Sequence, residues 1–369
     1  MPETEIEDWP PAPRANPDLL GHAAAETALR TAFDGDRLHH GWLISGPKGI
    51  GKATLAYRFA RFVLANGGAA ASGGLFGDTL PETGGEGLHV DPAHPTFQRV
   101  AASGHTDLLT IERTASDRGA LRTEIVVDDV RRSQNFFHMT AGEGGWRVIV
   151  VDSADKMNLN AANALLKVLE EPPPRALLLL VCHNPGRLLA TIRSRCQHLR
   201  LEPLDAADLT ALLGRYAPDL GAEDAAAIAQ LADGSIGRAL DLVESGGVGV
   251  YTDIMRLMEG LPALDVPALH DFATKCAARK GDETFATAAD LIRRTVAQIV
   301  KHAGGQDDTA APDGERALLQ RVAPPASLER WLQVWEKIDD ILGSADRANL
   351  DHKQVILNAF FTVAQAASR

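Results

Sequence analysis

The sequence predicts an α/β domain built on a parallel five-stranded sheet, followed by regions that are helical throughout. Two features carry that prediction. Five short runs stand before Pro203: Trp42–Ser45, Leu108–Ile111, Val148–Val151, Leu177–Cys182 and the alternating His198–Leu201. The first four are too continuous for one-sided burial, so both of their faces must be covered. Helical stretches separate most of the runs, which is the rhythm of parallel strands joined by crossover helices. After Pro203 the period changes. Leu209, Leu212 and Leu213, then Ala227, Ile228 and Leu231, then Ala239, Leu240 and Val243 recur at helical spacing.

In chain order, residues 1–18 are rich in proline and acids and read as a poorly ordered leader. Residues 19–202 form the α/β domain, with a Gly/Ala-rich surface insertion expected at 66–95. Residues 203–249 read as a small helical domain, with Asp205 as an N-cap and Gly234 and Gly246 as helix ends. The run Gly246–Gly249 reads as a linker into a third, helical domain over 250–369, with a loop at Ala303–Asp313. There Trp331, Val334, Trp335, Ile338 and Leu342 form a stripe that suits either a core or a seam between subunits.

Composition narrows the function. The chain has 369 residues, 45% hydrophobic and 23% charged, as in ordinary folded domains. No apolar run approaches the ~20 residues of a membrane span, and the acidic N-terminus lacks a signal pattern. A cytoplasmic location is therefore expected. The three cysteines have neither disulfide nor metal-ligand spacing. Lys+Arg 37 against Asp+Glu 49 gives −12, which argues against a self-sufficient DNA-binding protein. A local basic patch stays open, and a DNA role would run through partners.

The first strand run leads into Gly46-Pro-Lys-Gly49-Ile-Gly51-Lys52-Ala53-Thr54 and then an apolar helix. Strand, Gly-rich turn and helix make the setting of a phosphate-binding loop. Glycines let backbone N–H groups converge on phosphate oxygens, and Lys52 can reach the outer phosphates. The position after the lysine normally carries the hydroxyl that binds Mg²⁺. Here it is Ala53, and Thr54 lies about 100° further round the helix. A second half-site follows Val148–Val151, where Asp152 could organise Mg²⁺ through water. Hydrolytic sites place Glu next; this chain has Ser153, and Asp155 reads as a solvated helix-cap acid. Nucleotide binding at Gly46, Gly49, Gly51, Lys52, Ala53, Thr54 and Asp152 is thus vestigial or weak. Independent ATP hydrolysis is not expected.

Downstream, Lys156–Glu170 is an amphipathic helix pattern closed by Glu171-Pro172-Pro173, and Thr191-Ile-Arg-Ser194-Arg195-Cys196 follows the fourth run. In this order these residues resemble the bacterial clamp-loader AAA+ family, in particular its DNA polymerase III delta-prime type. The resemblance implies an AAA+ P-loop domain, an all-helical lid (203–249) and an all-helical collar (250–369). It implies that Arg195, within the Ser194-Arg195-Cys196 motif, acts as an arginine finger in a neighbour's nucleotide site. A guanidinium suits that task, being always charged and able to fork two donors onto phosphate oxygens. Asn184 falls at the family's phosphate-sensing position, although a turn-forming Asn fits equally. Arg238, in Gly234-Ser-Ile-Gly237-Arg238, resembles a second sensor, with a solvated helix start as the other reading. Arg347-Ala-Asn349-Leu350-Asp351 and the following residues resemble the last collar helix, with Leu350, Ile356, Leu357 and Phe360 as apolar contacts.

One departure concerns metal. The family's four-cysteine zinc module would fall in 66–95, which has no cysteine, and His89, His94 and His105 alone do not make that site. Zinc is not expected, no cofactor is required, and any Mg-ATP binding would be weak. The resemblance implies a heteropentamer with motor subunits and a delta subunit, acting on a sliding clamp and primed DNA at the replisome on the nucleoid. Two other readings remain: an active AAA+ motor subunit, which Ala53 and Ser153 oppose, and a free-standing nucleotide-binding regulator, which leaves Ser194–Cys196 unexplained.

Overall fold

The computed structural model describes residues 10–35, 37–67, 87–115, 119, 122–138, 145–278, 284–306, 313–324, 326–345 and 350–368. Contacts group the chain into two compact units. One holds Met1–Asp208 with Ser235–Gly237, and the other holds Leu209–Gly234 with Arg238–Arg369. The expected segments 203–249 and 250–369 fall mainly in the second unit.

In the first unit the elements run α1 (Ala23–Asp34), β1 (Gly41–Ser45), α2 (Lys52–Asn66), α3 (Pro95–Ala101), β2 (Leu108–Ile111), α4 (Val127–His138) and β3 (Arg147–Val151). There follow α5 (Leu159–Glu170), β4 (Ala176–Cys182), α6 (Ala190–Arg193), β5 (Gln197–Arg200) and the start of α7 (Ala206–Tyr216). The five strands form one sheet in the order β2-β3-β4-β1-β5, with every pairing parallel. Side chains alternate across it. Trp42, Ile44, Val148, Val150, Leu177, Leu179 and Val181 pack on one face with α2, while Leu43, Ile149, Val151, Leu178 and Leu180 pack on the other with α5. That double covering is why the strands read as unbroken apolar runs. The edge strand β5 keeps Gln197, His198 and Arg200 exposed, a charged margin that discourages further strand pairing.

Helix caps follow the chemistry of the sequence. Asn158 opens α5 by accepting the Ala161 amide at 2.9 Å, and Asp205 opens α7 by accepting from Asp208 at 2.8 Å. The prolines after Glu171 cannot continue α5.

Two expectations about the first unit need correction here. Residues 10–18 of the leader are held down: Arg61 donates to the Arg14 and Asn16 carbonyls at 2.8 Å each, and Arg58 to the Pro17 carbonyl at 2.6 Å. Residues 1–9 lie outside the described residues, as do 68–86 of the insertion. The end of the insertion is not surface, because Leu88 and Val90 are buried in the α2 core. Its His94 accepts the Thr96 amide as the α3 N-cap, and His105 accepts from Asp107, so both rings serve local turns.

The second unit is helical: the rest of α7, then α8 (Ala222–Leu231), α9 (Ile236–Glu244) from Arg238 onward, α10 (Gly247–Glu259), α11 (Val266–Ala277), α12 (Thr284–Ala303), α13 (Asp313–Val322), α14 (Leu328–Ser344) and α15 (His352–Ala367). The glycine run is not a linker. Gly246, at φ +65, turns the chain after α9, and Gly247 already begins α10, where a Cβ would strike Leu242. Trp331, Val334, Ile338 and Leu342 are core, with Trp335 at the margin. Ile356, Leu357 and Phe360 are buried, but Leu350 is exposed, ahead of α15. Arg347–Asn349 and 307–312 of the expected loop lie outside the described residues.

Candidate functional site

A parallel sheet delivers its loops to fixed edges. With β3, β4 and β1 adjacent, the turns after Val151, Cys182 and Ser45 stand side by side at the C-terminal edge. The phosphate loop, Asp152, Asp155, His183 and Asn184 therefore gather there.

The loop is tightly built. Gly46, Gly49 and Gly51 all have positive φ. At Gly49 the need is strict: at φ +77 a Cβ would run into the Ser235 hydroxyl and the Gly237 backbone. Those two residues cap the loop, Ser235 Oγ donating to the Lys48 carbonyl at 2.9 Å and the Gly237 amide to the Gly49 carbonyl at 3.0 Å. From the other side His22 Nε2 donates to the Ile50 carbonyl at 2.6 Å. Sequence reasoning missed both supports. The Gly-Ser-Ile-Gly stretch before Arg238 was the one available signal for Ser235, and nothing local marks His22.

Lys52 turns back on its own loop and donates to the Pro47 carbonyl. Its side chain is almost fully buried. Burial lowers its pKa to about 8, against the opposing pull of Cys182, Asp155 and Asp152. Ala53 presents a methyl group to the α2 core where a hydroxyl would serve a metal, and Thr54 is buried. At the end of β3, Asp152 is approached by the Ser153 hydroxyl at 3.4 Å, and Ser153 sits in the left-handed region at φ +61. Asp155 corrects an expectation. It is buried rather than solvated, and accepts the His183 amide at 2.8 Å, fastening β3 to β4. Asn184 is exposed and accepts from the Gly186 amide at 3.1 Å, so its side chain closes a turn.

The lysine gives a pH prediction. The folded pKa of about 8 lies below the ordinary lysine value of 10.5. Below pH 8 both states carry the proton, and the burial penalty is fully present. Between the two values the unfolded chain binds a proton that the folded chain releases, so stability rises with pH. Lys52→Met is expected to stabilise the protein at pH 7 by about 1–3 kcal/mol and to flatten that rise. Denaturant melts from pH 7 to 10 measure both effects; a variant less stable than wild type at pH 7 contradicts them.

Arg195 lies elsewhere. It follows α6 and precedes β5, whose Gln197 pairs with Trp42, so it sits at the N-terminal edge of the sheet. Its guanidinium pairs with Glu170 at 3.0 Å and donates to the Thr191 carbonyl at 3.1 Å. Ser194 Oγ donates to the same carbonyl at 3.1 Å. Cys196 is a core thiol, buried and raised to about pKa 12, which fits packing and not reactivity. In the second unit Arg238 pairs with Asp233 at 2.6 Å and Asp290 at 2.8 Å, so it is not a freely solvated helix-start residue.

Residues 86–205 match the family model described as DNA polymerase III, delta subunit. The chain is 35% identical over 240 residues to DNA polymerase III subunit delta' of Pseudomonas aeruginosa, covering 65% of this chain and 66% of that one. It is 27% identical over 332 residues to subunit tau/gamma of Haemophilus influenzae, covering 85% of this chain and 42% of that one. The match thus spans just under two thirds of the first relative and under half of the second. Among solved structures, a DNA polymerase III gamma subunit-related protein of Thermotoga maritima aligns over 92% of this chain and 99% of its own, at 18% identity and TM-score 0.38. With a phosphate loop on a five-stranded parallel sheet and the 35% identity to a delta' subunit, the chain belongs to the DNA polymerase III delta-prime family.

Proposed function

We propose that this chain is a non-hydrolytic stator of a DNA polymerase III clamp loader, supplying Arg195 to the nucleotide site of a neighbouring motor subunit. The observation that carries this reading is the placement of Arg195. The four steps of β1 from Gly41 to Ser45 span about 13 Å, with Arg195 beyond one end and the phosphate loop beyond the other. Arg195 is thus turned away from its own chain's loop, and a phosphate it meets belongs to another molecule. Its own site has Ala53 and Ser153 where metal and water chemistry need a hydroxyl and a carboxylate.

The wider reading places the chain in a heteropentamer with motor subunits and a delta subunit, opening a sliding clamp onto primed DNA. Residues 203–249 act as the lid and 250–369 as the collar. Asn184 and Arg238 are vestigial sensors, and the site in the bacterial cell is the replisome. Among the described residues no helix is long and apolar enough to cross a membrane.

The test is ATP turnover by the complex reconstituted with its cognate motor and delta subunits, clamp and primed DNA. The isolated chain is expected to be silent. Arg195→Ala is expected to lower turnover of the assembled complex by at least about tenfold, since a finger can contribute 10³–10⁵ at the site it completes. Turnover by the isolated chain favours the motor reading, and an unchanged Arg195→Ala complex removes the finger.

A further inference from the structure

We propose that Glu170 is the positioning residue of Arg195, holding its guanidinium in the geometry used on the neighbour's nucleotide; this rests on the finger reading above. Two parts of the fold converge on the start of β1. A Cβ on Gly41 would stand 2.9 Å from Leu169 Cδ2, 3.3 Å from the Arg195 carbonyl and 3.3 Å from Cys196 Sγ. That close approach brings the end of α5 against the turn carrying Arg195. His40 Nε2 donates to the Leu169 carbonyl at 3.0 Å and fixes the same helix end from the strand side.

On this platform Arg195 is held by two acceptors of its own chain. Nη2 pairs with Glu170 Oε1 at 3.0 Å, and Nη1 donates to the Thr191 carbonyl at 3.1 Å. A guanidinium has five N–H donors. Two are engaged here, which leaves three for phosphate oxygens while the plane of the fork stays set. Both side chains keep a substantial share of their surface exposed, 38% for Arg195 and 49% for Glu170. An exposed pair of this kind contributes little to folding. Its value lies in spending the rotamer freedom of a long side chain before the neighbour arrives. Glu170 touches neither nucleotide nor reacting atoms and acts through Arg195.

The experiment compares wild type, Glu170→Ala, Glu170→Gln, Arg195→Ala and the Glu170→Ala/Arg195→Ala double variant, each in the reconstituted complex with ATP, clamp and primed DNA. Glu170→Ala is expected to lower kcat about tenfold with the KM for ATP unchanged. Glu170→Gln keeps an oxygen acceptor and is expected to retain most of the rate. The double variant is expected to be no slower than Arg195→Ala, because one residue works through the other. An impaired Arg195→Ala beside a Glu170→Ala complex at wild-type speed or faster overturns this proposal alone. An unimpaired Arg195→Ala complex overturns the finger reading and this proposal with it.

Discussion

Glu315→Leu is expected to cost the second unit about 3–5 kcal/mol, the range for removing one partner of a buried ion pair. Glu315 is fully buried on α13 and accepts from Arg294 at 2.8 Å and from the Tyr251 hydroxyl at 3.0 Å. Burial alone would lower the Arg294 pKa, but Glu315 and then Asp233 outweigh it and the net direction is upward. Burial and the Glu315 charge also push Tyr251 up. Without Glu315 the guanidinium keeps Asp233 at 3.4 Å, and the tyrosine loses its acceptor. At about 2–4 °C per kcal/mol, the melting temperature should fall by roughly 6–20 °C. The double variant Arg294→Met/Glu315→Leu should recover most of the loss, since a well-packed apolar pair replaces a buried ionic one at little cost. A single variant within 1 kcal/mol of wild type would show that water reaches the pair.

Arg61→Ala is expected to loosen residues 10–18 and to cost about 2–4 kcal/mol through lost packing and hydrogen bonds. Arg61 lies on α2 at 1% exposure, its guanidinium 4.4 Å from the centre of the Phe97 ring and its donors on two leader carbonyls. Two effects compete. Burial and then repulsion from Arg58 lower its pKa to about 9, so removing the charge relieves a penalty. Against that stand a cavity beside Phe97, a lost cation–π contact and two lost hydrogen bonds. The deletion terms win because packing and both hydrogen bonds are lost together. Limited proteolysis should then cut within 10–18 faster than in wild type, with a lower melting point. Equal cleavage and equal melting would show that the leader is held by other contacts. Arg61→Lys should not rescue, since an ammonium cannot fork to both carbonyls.

These two sites mark where sequence reading stops. The strands were legible because burial on both faces leaves an unbroken apolar run, as in Leu177–Cys182. The phosphate loop was legible because its glycines and lysine are spaced by a local requirement. Residues 10–18 were misread because the donors that pin them, Arg58 and Arg61, stand on another helix. Gly246–Gly249 was misread because glycine propensity favours a loop. Yet Val250, Ile254, Leu257 and Met258 bury a helical face that outweighs it. Asp155 could not be placed by spacing, since its surroundings include the His183 amide just after β4. Glu170 stood in plain view in the Glu-Glu-Pro-Pro turn. Only the close approach at Gly41 shows what it faces.

The order of the strands has a consequence for assembly. A subunit that offers a cation on one flank and a phosphate cradle on the opposite flank has a direction, like a link with a hook and an eye. Such links join head to tail, through two different surfaces and never through one surface meeting itself. Every junction so built has a giver and a receiver. In the proposed reading, a link whose eye carries Ala53 and Ser153 gives without receiving. In the proposed assembly it therefore belongs where the succession of working sites begins, and a second copy cannot replace a motor subunit without silencing one of them.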